Sequence, residues 1–161
     1  MRKPLLGVIL FASAALVLSG NAWAQSAFAG NEAFLQLLKS DIQKETTDII
    51  NRSMELSAED AAAFWPLYNE YDEALDKLAD SRIKLIKEYS SIYGNVSDEQ
   101  ASSLGKKWID LLAEREQLRG KYYDKFAAVL SPAQAFKVMQ IERRLELLID
   151  MQIAKELPML E

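Results

Sequence analysis

The side chains with chemistry to offer are carboxylates, arginines and aromatics. The 161 residues include no cysteine and no histidine. Thiol nucleophiles, Cys/His zinc sites and imidazole bases are therefore excluded. Catalysis would fall to carboxylates such as Glu70, Asp72, Glu73, Asp76, Glu114, Glu116, Glu142 and Glu146. These lie among bases at helical spacing, the pattern of solvated faces laced with i,i+4 pairs. No nucleophile–base pair converges, so the chain reads as a non-enzyme. Met54, Met139, Met151 and Met159 offer sulfur without a dense cluster and read as core filler, which disfavours a metal-responsive role. No glycine-rich phosphate loop is present, so no nucleotide or other cofactor is expected.

Binding is the better use of these side chains. Arg82 and Arg115 occupy helix positions whose neighbours are apolar, so each either lays its stem on a seam and pairs with an acid or ring, or opens onto a binding surface. Lys84/Lys87, Lys106/Lys107, Arg115/Arg119/Lys121 and Arg143/Arg144 form basic clusters. Such clusters are usually solvated; gathered on one concave side, they would steer acidic partners. Phe64, Trp65, Tyr68 and Tyr71 recur at steps of three and four around Pro66, which marks core. Trp65 sits beside that stripe and is the exception. The candidate contact residues for a polypeptide client are thus Trp65, Arg82, Arg115, Arg119, Arg143 and Arg144.

The elements that position them are helices. Six glycines and four prolines supply few turns, and no alternating strand pattern appears. Met1-Arg2-Lys3, the apolar stretch Leu5 to Leu18 and Ala22-Trp23-Ala24 have the layout of a secretory signal peptide, cut after Ala24. The apolar run is short against the ~20 residues that span a bilayer. Residues 25–161 are then one exported domain, expected in a bacterial periplasm. Losing Arg2 and Lys3 takes the net charge from −5 to −7, which argues against nucleic acid.

Four amphipathic segments follow: Asn31–Asn51, Ser57–Tyr93, Ser97–Val129 and Ser131 to Pro158. The second carries Phe64, Tyr68, Tyr71, Leu75, Leu78, Leu85 and Tyr89 in a near-heptad seam, with Pro66 expected to kink it or shift its start. The third repeats the seam with Leu104, Trp108, Leu111, Leu118, Tyr122 and Phe126; the fourth carries Phe136, Val138, Met139, Ile141, Leu145 and Leu148. A turn at Gly94-Asn95 makes the second and third segments antiparallel, pairing Phe64 with Phe126, Tyr68 with Tyr122, Leu78 with Leu112 and Arg82 with Trp108. Arg115 falls beside Leu75, between Asp72 and Asp76. The fold class is all-α, in long antiparallel hairpins. A helix from Ser57 to Tyr93 would be ~55 Å long, more than the ~37 Å diameter of a compact chain this size, so an elongated assembly is expected, with its long apolar seams pointing to a dimer.

Leu56-Ser57-Ala58-Glu59-Asp60 and Leu130-Ser131-Pro132-Ala133-Gln134 share one layout, 74 residues apart. Each places an apolar residue before a serine N-cap and a polar residue able to reach back. Leu56, Ser57, Asp60, Leu130, Ser131 and Gln134 are therefore structural. In these motifs, from about Asn31 to Leu157, the chain resembles the Spy/CpxP family of periplasmic stress proteins with its two LTxxQ motifs. Here serine stands for threonine, and Asp60 for the first glutamine. The resemblance implies bent helical hairpins that dimerise into a cradle, and an ATP-independent chaperone binding unfolded or partly folded envelope proteins. A second expectation is a regulatory adaptor docking on the periplasmic domain of a membrane sensor kinase.

Overall fold

The computed structural model describes residues 46–160. The expected signal peptide, residues 1–24, and residues 31–45 of the first expected helix lie outside the described residues. Residues 46–54 are helical (α1), followed by α2 (Ala58–Ile92), α3 (Asp98–Ala127) and α4 (Pro132–Glu156). No strand occurs among the described residues, so the all-α class holds.

Three serines start three helices. Ser97 and Ser131 close full capping boxes: each hydroxyl accepts the N–H of Gln100 or Gln134, whose side chain accepts the serine N–H in return. At Ser57 only the first bond forms, from the Asp60 N–H at 3.1 Å. Aspartate is one methylene shorter than the usual Glu or Gln partner, which explains the missing return bond. Leu130 is buried and Leu56 packs against the core, anchoring two of these starts. Pro66 does not move the start of α2; it lies inside the helix on an exposed side, and Ala62, whose carbonyl it cannot serve, is also exposed. Gly94, at φ 87°, ends α2 in the left-handed conformation glycine adopts without cost.

The core is aromatic. Phe64, Tyr68 and Tyr71 of α2 meet Tyr122 and Phe126 of α3, closed by Val138, Met139 and Ile141 of α4 and by Ile50 and Met54 of α1. Phe64 and Phe126 rings lie 5.1 Å apart, as the antiparallel register requires. Tyr122 packs on Tyr71 at 5.1 Å, three residues beyond the expected Tyr68, whose hydroxyl is turned to Glu142 of α4. Further along, Ile83, Leu85 and Ile86 of α2 and Ile153 of α4 are buried, and the Tyr89 hydroxyl donates to the Pro158 carbonyl at 2.9 Å. α4 therefore runs back along α2 in the same direction.

Two parts of the expected seams turn outward. No residue from 98 to 114 is buried, and Trp108, Ile109 and Leu112 face solvent. On α4, Phe136 and Leu148 are more than half exposed, and their expected places are taken by Glu142 and Glu146, both under 10% exposed. The solvated-face reading of those two glutamates is overturned.

Gly105 and Gly120 sit inside α3, where an added Cβ would meet nothing within 4 Å. Alanine at either position is expected to stabilise the fold by about 0.5–1 kcal/mol through lost unfolded-state freedom, read as a higher urea midpoint at unchanged slope.

Candidate functional site

Two glutamates one turn apart on α4 organise the joint between helices. Glu146 pairs with Arg115 Nη1 of α3 at 3.2 Å, and accepts hydrogen bonds from Arg119 Nη2 of α3 at 2.6 Å and from Arg143 Nη1 of its own helix at 2.7 Å. Arg119 also pairs with Glu116. Glu142 accepts from the Tyr68 hydroxyl of α2 at 2.6 Å. Burial pushes the Tyr68 and Tyr71 hydroxyls far above the ordinary phenol range, with the charge of Glu142 adding to both.

The two carboxyls respond oppositely to one environment. Burial raises the Glu142 carboxyl, with the charge of Asp72 adding, against the Tyr68 hydrogen bond and the pull of Arg115 and Arg119. Burial also acts on Glu146, but Arg143, Arg115 and Arg119 together hold it below the ordinary range. At Glu146 three directly paired cations outweigh desolvation; at Glu142 one phenol and the unpaired pull of Arg115 and Arg119 do not.

Beyond this joint lies a depression open to solvent, lined by Leu78 and Arg82 of α2 and Trp108, Leu111, Leu112 and Arg115 of α3. The Arg82 guanidinium lies over the Trp108 ring, 5.4 Å from its centroid, and pairs with Asp150 of α4 at 2.6 Å. Ile109, 64% exposed, continues the apolar surface along α3. The Nε groups of Arg82 and Arg115 are buried without a hydrogen-bond partner. The site offers an apolar contact edge beside two anchored cations; among the described residues no acidic cluster suited to a metal appears.

The six sequence candidates separate. Arg82, Arg115 and Arg119 are under 20% exposed and hold helices together. Trp65 packs edge-on against Phe64 and Tyr68 at the margin of the core. Arg143 and Arg144 are exposed. Trp108, Ile109 and Leu112 were placed in the seam or passed over; two adjacent apolar residues, Trp108-Ile109, were the available signal, since one helix stripe cannot bury both equally. No protein-family model, curated protein or solved structure matches the chain.

The two glutamates set opposite pH limits. Glu142, raised in the fold, costs stability as pH rises from the ordinary glutamate range through its folded value. Glu146, lowered in the fold, supports stability that is lost as pH falls from the ordinary range through its folded value. Thermal melts across pH should therefore show E142Q more stable than the parent at neutral pH, with the two converging in acid. E146A leaves Arg115 and Arg119 without their shared counter-charge and is expected to cost about 3 kcal/mol in denaturant unfolding at neutral pH.

Proposed function

We propose that the chain is an exported, ATP-independent holdase that binds apolar segments of unfolded envelope proteins along the outward edge of α3. One observation carries the reading: Trp108, Ile109 and Leu112 are exposed side by side, while the rings of Phe64, Tyr68, Tyr71 and Phe126 are buried. Contiguous exposed apolar surface on a folded chain marks an interaction site. Arg82 lies over one side of the Trp108 ring, which limits the ordering that this ring must undergo on contact. The capped motifs at Ser57 and Ser131, with their likeness to the Spy/CpxP pattern, support the same class. Export rests on the basic, apolar and Ala-x-Ala layout of residues 1–24. No described helix is long and apolar enough to cross a membrane.

The test is light scattering of an unrelated denatured protein diluted into buffer with and without the chain, no nucleotide present. Suppression is expected, and the W108A/I109S variant should need about ten-fold more protein for the same effect, with its melting curve kept. Reversing Arg115 or Arg119 would instead report on stability, because both neutralise Glu146. No suppression at several-fold excess over client sinks the reading, and one stoichiometric membrane partner from envelope extract would replace it with the adaptor. A dimer lost in that variant, with scattering unchanged, would assign the edge to a second copy.

A further inference from the structure

α4 carries four acids and four bases, and folding sorts them. Glu142 and Glu146 are buried, and Asp150 is half-buried against Arg82. Among the exposed residues from 132 to 155, the charged ones are Lys137, Arg143, Arg144 and Lys155, all basic. Interleaved with them, Phe136, Leu147, Leu148 and Met151 are each about half exposed. At 100° per residue these eight positions fall on one side of the helix. α2, by contrast, carries eight acids and four bases. An acidic protein thus presents one helix face whose charges are all basic, set among apolar side chains and the neutral Gln140.

We propose that the outward face of α4 docks on an anionic lipid surface. A basic face interleaved with large apolar side chains is the pattern of a helix lying in the membrane–water interface, apolar groups in the acyl boundary and cations among phosphates. The arrangement favours a bilayer over a peptide: the eight side chains lie along one arc of a single long helix, and such an arc can meet a plane along its length. Charge complementarity supplies the rest. Arg144 and Lys155 make no ion pair among the described residues, so docking gives them a counter-charge at no cost to the fold. Arg143 is shared with Glu146, and Lys137 with the Ser53 carbonyl. Docking here leaves the Trp108 edge of α3 to its own task, so the proposal does not rest on the holdase reading.

Vesicle flotation tests it, with phosphatidylglycerol-containing vesicles against pure phosphatidylcholine. The chain is expected to float only with the anionic vesicles and to be released by salt. R144E/K155E should weaken partition by at least about 25-fold, taking about five-fold per basic group. L148S should weaken it without abolishing the salt dependence. Every variant keeps residues 1–45 unchanged, so an apolar leader cannot produce these differences, and unchanged helical circular dichroism excludes unfolding. Equal binding of R144E/K155E, or no flotation of the parent, overturns the proposal. Retention on immobilised poly-glutamate without flotation also overturns it, in favour of an acidic protein partner. Client suppression in the lipid-free scattering assay is unaffected by any of these outcomes.

Discussion

The fold turns on the carboxylate of Glu146, held between two helices by three guanidinium groups. Burying ions is expensive, and their mutual attraction repays it only when geometry and hydrogen bonding are both good. Here one carboxylate is shared by two cations from α3 and a third from α4. That sharing lets Arg115 and Arg119 occupy seam positions where leucine would be ordinary, and it ties α4 to α3 at one height. One turn earlier, Glu142 ties α4 to α2 through Tyr68. The three helices therefore meet at two stacked carboxylates directly beside the aromatic core.

These carboxylates also settle which side of α4 faces in. Val138, Met139 and Ile141 are buried, yet Phe136, Leu147, Leu148 and Met151 form a second apolar set on the outside. Burial of apolar area alone would nearly tolerate either rotation of the helix. The inverted rotation would take Glu142 and Glu146 out to water and leave Arg115 and Arg119 facing the seam without a counter-charge. The observed setting is the one that gives them a counter-charge, and it leaves the bases of α4 outward.

What the sequence revealed, and what it hid, follows the same division. Helix starts at Ser57, Ser97 and Ser131 and the stop at Gly94 were legible, because caps and left-handed glycines are local chemistry. The pairing of Phe64 with Phe126 and of Arg82 with Trp108 was legible too, because a short turn fixes an antiparallel register. The inward rotation of Glu142 and Glu146 was not, since an acid among bases looks the same on a surface as in a seam. Ile83 and Ile86, both buried, were missed because the seam traced along α2 runs through Arg82 and Leu85 and leaves them beside it. The mixed face of α4 stayed hidden because its composition is balanced until folding separates the signs.

The two tyrosines near the end of α2 grip residues 158 and 159 by their backbone. The hydroxyls of Tyr89 and Tyr93 reach the carbonyls of Pro158 and Met159, atoms that any amino acid would present. Met159 itself is almost fully exposed. The clasp is therefore written into α2 and is indifferent to the side chains it holds. Sequence drift at residues 158–160 would pass unnoticed by this contact, while the same drift at Tyr89 would release the segment.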